Sequence, residues 1–236
     1  MNAFSRVCAL IGKDSLEKLK NSKVAVFGIG GVGGFAVEAL ARCGVGTIAI
    51  FDNDAVDVTN LNRQIVATVS AVGKDKVDVM KERLLSINPE VKVETNKVFY
   101  LPENAHLYDL SGYDYVIDAI DTVSAKIEII YRAKMANVPV ISCMGTGGKL
   151  DITKLKVTDI EKTSVCPLAR VMRRELKKRK IFGVKAVWSE EQSIKAEQTD
   201  TMKKADGKTA PPSMIFVPAV AGLMLAKEVV MHLTKN

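Results

Sequence analysis

The chain has 236 residues, enough for one large domain or for a domain with an appendage. Hydrophobic residues make up 47% of it, so a full core can be buried and intrinsic disorder is not expected. The formal net charge of +7 suits a polyanionic partner such as nucleic acid, although a soluble protein without such a partner can carry the same charge.

The four cysteines, Cys8, Cys43, Cys143 and Cys166, form no CxxC pair. This spacing argues against a disulfide framework and against a zinc ribbon, and it favours a reducing, cytoplasmic location. The first twenty residues carry charges without a long apolar segment, so no secretory signal is expected. The longest apolar run, residues 214–226, is short for a bilayer span. We predict a strand end followed by a buried helix there, and no stable membrane association.

Strand and helix patterns alternate through the first 148 residues. Strands are predicted at residues 23–28, 47–52, 91–100, 113–121 and 138–145, and helices at 32–44, 73–89 and 124–137. Such alternation predicts a Rossmann-like α/β fold: a mostly parallel central sheet with helices on both faces and right-handed crossovers.

The pattern changes near Gly145. "GGKLDITKLKVTDI" alternates as an antiparallel strand, "CPLARVMRRELKKRK" is a basic helix, "GVKAVWSEE" is another strand, and a helix closes the chain. Residues 193–213 are polar with Gly and Pro, which predicts a mobile loop. We therefore divide the chain into a Rossmann-like nucleotide-binding region, 1–148, and a C-terminal extension of the same domain, 149–236, with antiparallel strands.

The segment "GIGGVG" matches GxGxxG between a predicted strand and a predicted helix. Gly28, Gly30, Gly31 and Gly33 would allow a tight turn and a close approach of the backbone to phosphates, and the helix N-terminus would face negative charge. Asp52 ends the next strand, where an acceptor for ribose hydroxyls belongs. The turn alone does not separate NAD from ATP, and it could also be purely structural.

The segment "FDNDAVDVTNLNRQ" favours a triphosphate-cleaving enzyme over a dehydrogenase, which has no evident use for it. Arg63 can pair with phosphate oxygens in a fork geometry, and Lys76 supplies a second positive charge. Asp121, at a strand end on the ligand side of the sheet, could hold Mg²⁺. Asp54 and Asn60 lie in the same segment and are assigned to cofactor binding. The structural alternatives are a solvated lysine at Lys76 and a strand-end cap at Asp121.

In combination these residues resemble the ubiquitin-activating-like adenylyltransferases, which include the enzymes that adenylate sulfur-carrier proteins for thiamine and molybdopterin synthesis. The resemblance implies ATP as cofactor: Asp52 would hold the ribose, Arg63 and Lys76 the phosphates, and Asp121 the Mg²⁺. Residues 1–148 would then be the adenylation region. In many members an arginine near the N-terminus reaches the ATP of the partner subunit, which suggests Arg6 and implies a homodimer.

Three further segments resemble the tRNA threonylcarbamoyladenosine dehydratase branch: "SRVCALIGKDSLEKLKNSKVAVFG", "GTGGKLDITKLKVTDIEKTSVCPLARVMRREL" and "FVPAVAGLMLAKEVV". The resemblance then covers nearly the whole chain. It implies ATP-dependent cyclisation of threonylcarbamoyladenosine next to the tRNA anticodon. The threonine carboxylate would be adenylated with release of pyrophosphate, and the carbamoyl group would close the ring and expel AMP.

Other functions stay open at this point. The chain could activate the C-terminal Gly-Gly of a small sulfur-carrier protein, although the missing CxxC pairs fit the dehydratase branch better. It could be a non-catalytic nucleotide-sensing module that binds tRNA or a sulfur-transfer protein, or, least favoured, an NAD dehydrogenase. Cys166 falls near the thioester-forming cysteine of some relatives; it is either a reactive thiol or a small residue at a helix start.

The basic helix is a candidate nucleic-acid contact if the substrate is tRNA. Its spacing distributes charge around most of the helix surface, which a merely solvated helix would also show. The residues assigned to this contact are Arg170, Arg173, Arg174, Lys177 and Lys178.

Overall fold

The computed structural model describes residues 3–194 and 211–235. The strands are β1 (Lys23–Phe27), β2 (Thr47–Phe51), β3 (Lys92–Asn96), β4 (Tyr115–Asp118), β5 (Val140–Cys143), β6 (Leu155–Asp159) and β7 (Lys185–Ser189). The α-helices are α1 (Ser5–Ile11), α2 (Lys13–Asn21), α3 (Gly33–Cys43), α4 (Lys76–Ile87), α5 (Val123–Met135), α6 (Pro167–Lys178) and α7 (Phe216–Leu233).

The strands form one seven-stranded sheet in the order β3-β2-β1-β4-β5-β7-β6. Neighbouring strands are parallel except β6 and β7, which are antiparallel. From β1 the chain builds outward to β2 and β3, then returns to place β4 on the other side of β1. Open parallel sheets bind ligands at the carboxyl ends of the strands where the order reverses, here between β1 and β4.

The core has one apolar cluster on each face of the sheet. Val24 and Val26 of β1 point into a cluster with α3, α4 and α7, whereas Ala25 and Phe27 point into a cluster with α5 and α6. Neighbouring side chains of a strand face opposite sides, so a strand that is apolar throughout is buried on both faces. The predicted mostly parallel sheet with helices on both faces is confirmed.

The C-terminal extension differs in detail from the prediction. β7 lies between β5 and β6 and is parallel to β5, so the extension completes the main sheet. The strand predicted over 147–160 is confined to β6, because the Asp151 side chain accepts hydrogen bonds from Thr153 and caps a 3₁₀ turn at Ile152–Lys154. The strand end predicted near 214 is wrong: α7 begins at Phe216. Most of the predicted loop, residues 195–210, lies outside the described residues.

The predicted basic helix, α6, has one face buried in the core. Ala169, Met172 and Leu176, spaced three and four residues apart, are buried on one face of α6. Its charged residues therefore occupy the remaining faces.

Helix α7 is long and apolar enough to cross a membrane by length and composition alone. It packs against α3 and the sheet, and Val217, Ala221, Leu225 and Val229 are buried along one face. A core helix of a globular domain has the same properties.

Close packing of α7 on α3 depends on Gly222. A Cβ at Gly222 would lie 2.2 Å from the carbonyl oxygen of Val32 and 3.0 Å from Cβ of Phe35. We expect Gly222→Ala to lower the free energy of unfolding by about 2 kcal/mol, because the backbone contact must separate. Urea unfolding measures it. Gly112→Ala is the control, since a Cβ there meets no atom of residues 3–194 or 211–235 within 4 Å. An equal, small change in both variants would contradict the prediction.

Candidate nucleotide-binding site

A cavity of about 670 Å³ opens at the carboxyl ends of the central strands. Eight of the residues predicted from sequence line it: Gly28, Gly30, Gly31, Asp52, Asp54, Arg63, Lys76 and Asp121. Gly33, Asn60 and Arg6 are not part of this lining.

The glycine turn leads from β1 into α3, and its glycines have different roles. Gly28 has a φ of +88°, and a Cβ there would lie 2.8 Å from the Ala119 carbonyl oxygen. A Cβ on Gly33 would lie 1.8 Å from the Gly28 carbonyl oxygen, so Gly33 permits the turn itself to close. Gly30 and Gly31 line the cavity just before the N-terminus of α3. Backbone amides at a helix N-terminus attract anions such as phosphate.

Asp52 joins the end of β2 to the glycine turn. Its Oδ2 accepts a hydrogen bond of 2.7 Å from the Ile29 amide, and its Oδ1 accepts one of 2.8 Å from the Asp54 amide. Loss of hydration on burial raises the pKa of Asp52, against the opposing effect of the Lys76 charge. Each carboxylate oxygen can accept more than one hydrogen bond, which leaves capacity for a ribose hydroxyl.

Among the described residues, two cationic side chains line the cavity. Lys76 begins α4 and is buried rather than solvated; its Nζ lies 2.7 Å from Asp54 Oδ2. Arg63 Nη1 donates to the Thr59 carbonyl oxygen at 2.7 Å and to Asn62 Oδ1 at 2.9 Å. These bonds hold the guanidinium at the cavity wall. There the planar Arg63 guanidinium could bind phosphate oxygens through two N–H groups, and the Lys76 ammonium would add a compact positive charge.

Asn60 supports the segment that carries Arg63. Its Oδ1 accepts from the Asp57 amide at 3.2 Å, and the Asp57 carboxylate accepts from Thr59, so the two side chains cap the turn Val58–Asn60 reciprocally. The structure thus places Asn60 behind the cavity wall. Arg6 is exposed on α1 and does not line the cavity of its own chain.

Asp121 follows β4 and lines the cavity near the predicted phosphate ligands. Within residues 3–194 and 211–235, no group of three or more His, Cys, Asp or Glu residues could hold a metal ion. Mg²⁺ does not need such a cage, because it commonly binds one or two carboxylates together with water and substrate phosphates. A single carboxylate beside a phosphate site fits that mode.

A buried ion pair that the sequence did not predict lies beneath the loop between β4 and α5. Lys126 and Asp118 are both fully buried, with Nζ 2.8 Å from Oδ2. Lys126 Nζ also donates to the carbonyl oxygens of Ile120, at 3.2 Å, and Cys143, at 2.8 Å, and Ser142 Oγ donates to Asp118 at 2.6 Å. The pair therefore connects the loop before Asp121 to the end of β5. A lysine among the apolar residues of α5 was the only signal in the sequence.

We expect Lys126→Met to lower the free energy of unfolding by about 3 kcal/mol, because it leaves the Asp118 carboxylate buried without a counter-charge. Chemical denaturation measures the change. The double variant Lys126→Met/Asp118→Asn removes both charges and should recover a large part of the loss. A double variant no more stable than Lys126→Met would show that the ion pair is not the cause.

Aromatic side chains form another wall of the cavity and were also missed. The Phe27 and Phe51 rings stack with centroids 4.2 Å apart, and Tyr100 meets Phe27 edge-on at 4.8 Å. Burial raises the pKa of Tyr100 to about 12, so its hydroxyl stays neutral. Phe99, half exposed, lines the same cavity. A cavity that is lined by both aromatic and charged side chains suits a nucleotide, which has an aromatic base and anionic phosphates.

Cys166 and Cys143 are both buried. Burial raises the pKa of the Cys143 thiol to about 12. Only 2% of Cys166 is exposed. Reactive thiols are accessible thiolates, so the structure favours a packing role for Cys166.

The family model described as the ThiF family matches residues 4–236. The chain belongs to the ThiF family. The resemblance to adenylyltransferases inferred from the glycine turn and "NLNRQ" is therefore confirmed.

Two curated ThiF relatives cover almost the full chain. The chain is 46% identical to the tRNA threonylcarbamoyladenosine dehydratase of Bacillus subtilis, over 100% of this chain and 96% of that protein. It is 37% identical to the dehydratase of the same name from Haemophilus influenzae, over 99% of this chain and 94% of that protein.

The fold matches a solved ThiF relative. The Escherichia coli tRNA N6-threonylcarbamoyladenosine dehydratase TcdA in complex with ATP superposes with a TM-score of 0.88 at 35% identity, over 98% of this chain and 93% of that chain. Its complex with AMP gives a TM-score of 0.89 at the same identity and coverage.

Proposed function

We propose that this protein is an ATP-dependent tRNA threonylcarbamoyladenosine dehydratase that cyclises the threonylcarbamoyl group next to the anticodon. The observation that carries the proposal is the convergence of the glycine turn, Arg63, Lys76 and Asp121 on one cavity, in a chain similar over its full length to dehydratases. The Escherichia coli relative, solved in complex with ATP and with AMP, supports ATP as the nucleotide bound here.

Each part of ATP can be matched with a group of residues that line the cavity. Phe99 and the aromatic wall suit the adenine, Asp52 suits the ribose, and the Gly30–Gly31 backbone faces the phosphates. Arg63 and Lys76 stabilise negative charge that develops on the departing pyrophosphate.

The chemistry then proceeds in two substitutions. An oxygen of the threonine carboxylate attacks the α-phosphorus, and the bond to the β-phosphate oxygen breaks, which gives an acyl-adenylate and pyrophosphate. The carbamoyl group of the same side chain attacks the acyl carbon, loses a proton and displaces AMP. Overall the nucleoside loses one water while ATP becomes AMP and pyrophosphate.

The protein contributes mainly positioning and charge neutralisation. The second step is intramolecular, so no protein nucleophile is required, in accord with the buried state of Cys166. Asp121 would hold Mg²⁺, which would neutralise phosphate charge when bound.

The proposal includes a homodimer in a cytoplasmic setting. Arg6 lies outside the cavity of its own chain and is exposed on α1, which suits a role at the ATP of a second subunit. A sulfur-transfer protein is a further proposed partner.

ATP cleavage with defined additives tests the function against the carrier-protein alternative. We expect pyrophosphate release to depend on tRNA that carries threonylcarbamoyladenosine, with unmodified tRNA as the matched control. Release that requires a small protein ending in Gly-Gly, and no tRNA, would replace the dehydratase with a carrier adenylyltransferase.

A further inference from the structure

A second cavity, of about 400 Å³, lies along α6, and no described residue lines both this cavity and the nucleotide cavity. We call it the α6 groove. Its charged lining residues are Glu161, Arg170, Arg173, Arg174 and Lys177, and its apolar ones are Ile160, Leu176, Ile181 and Phe182.

The α6 groove is strongly cationic. Arg170 and Lys177 are exposed, and neither forms an ion pair with an acidic residue in the described part of the chain. Arg174 contacts its neighbour Glu175 at 3.0 Å, and Arg173 donates to Thr163. These contacts leave the groove with an excess of positive charge.

The acidic residue in the groove has a structural partner. Glu161 Oε1 accepts a hydrogen bond of 2.9 Å from the Gly183 amide. This bond fixes the loop after α6, in which Lys180 and Gly183 both have positive φ. Ile181 is buried, and Phe182 is 57% exposed at the groove. The loop therefore presents an aromatic ring to solvent beside a row of cations.

That combination is typical of sites for single-stranded nucleic acid. Cationic side chains follow the phosphates, and aromatic rings stack on the bases without requiring a particular sequence. An acidic protein surface would complement the charge but gives no reason for an exposed aromatic ring at Phe182.

Helix α6 links the groove to the nucleotide cavity. Leu168, in its first turn, lines the nucleotide cavity, and Lys177, in its last turn, lines the groove. The rise of an α-helix places these two positions about 13 Å apart along the axis. An RNA strand with one nucleoside at the ATP can thus continue along α6.

We infer that the α6 groove binds a nucleotide of the tRNA anticodon loop that flanks the modified adenosine, with phosphate at Arg170 and Lys177 and a base stacked on Phe182. This inference rests on the proposed function and names the surface by which the same site recognises tRNA.

Three variants test the two contacts separately, by fluorescence anisotropy with tRNA that carries threonylcarbamoyladenosine. Phe182→Ala should weaken binding about tenfold, and Phe182→Tyr, which keeps the ring, should restore it. Arg170→Gln/Lys177→Gln should reduce the slope of log affinity against log salt by about 1.4, from roughly 0.7 for each lost phosphate contact on a single strand.

The charge-matched control is Arg179→Gln/Lys180→Gln, which removes two charges just after α6 and outside the groove lining. Its salt slope should remain near that of the wild type. Thermal unfolding and ATP binding verify that each variant is folded. Equal slopes for the two double variants, or tight binding by Phe182→Ala, would overturn the inference. Wild-type protein that binds this tRNA but does not turn it over would instead refute the proposed function.

Discussion

Arg63→Ala is expected to lower kcat for tRNA-dependent ATP cleavage about a thousandfold, the size of effect seen when a preorganised charge is removed from a developing anion. The Arg63 guanidinium is held at the cavity wall by Thr59 and Asn62, so it needs no reorganisation as pyrophosphate departs. The loss should appear in kcat more than in the KM for ATP, because the charge to be stabilised grows in the transition state. Steady-state pyrophosphate release measures both constants.

Arg63→Lys and Arg42→Ala are the controls for this variant. Arg63→Lys keeps a charge but not the fork, so an intermediate loss is expected. Arg42 is an exposed arginine paired with Glu38 on α3, and its replacement should leave kcat nearly unchanged. A kcat for Arg63→Ala within tenfold of the wild type would remove Arg63 from the proposed mechanism.

Asp121→Asn is expected to lower ATP cleavage about a hundredfold at a fixed, low Mg²⁺ concentration. The amide keeps the shape of the side chain but removes the negative charge that a Mg²⁺ ion between Asp121 and the phosphates would require. Part of the lost rate should return as Mg²⁺ is raised, because metal held by the nucleotide alone binds more weakly. A Mg²⁺ titration of kcat measures this effect.

Asp109→Asn controls for the loss of a carboxylate elsewhere. Asp109 accepts hydrogen bonds from Ser111 in an exposed turn and does not line the cavity. Its Mg²⁺ dependence should match that of the wild type. The same Mg²⁺ dependence in Asp121→Asn and the wild type would exclude the proposed metal role.

Much of the lining of the candidate site could be predicted because parallel strands bring their carboxyl ends to one edge of the sheet. The glycine turn after β1, Asp52 after β2 and Asp121 after β4 are distant in sequence but meet there once the sheet is parallel. Arg63 lies in the segment that connects β2 to α4, and Lys76 begins α4; both line the same cavity.

The features that could not be predicted from the sequence depend on side-chain directions and on packing between distant segments. Asn60 is only three residues from Arg63, yet its side chain helps to cap the turn Val58–Asn60 instead of lining the cavity. Lys126 is buried against Asp118 by the β4–α5 loop, an arrangement that helical periodicity does not show. The insertion of β7 between β5 and β6 is a pairing between distant segments, which strand patterns cannot specify.

The proposed dehydration is tested most directly by mass spectrometry of the modified nucleoside after incubation of the tRNA with this protein, ATP and Mg²⁺. We predict that threonylcarbamoyladenosine loses the mass of one water and that one AMP and one pyrophosphate appear for each nucleoside converted. With the Arg63→Ala variant, neither the mass loss nor these products should be detected. An unchanged nucleoside mass in the presence of active ATP cleavage would contradict the dehydratase function.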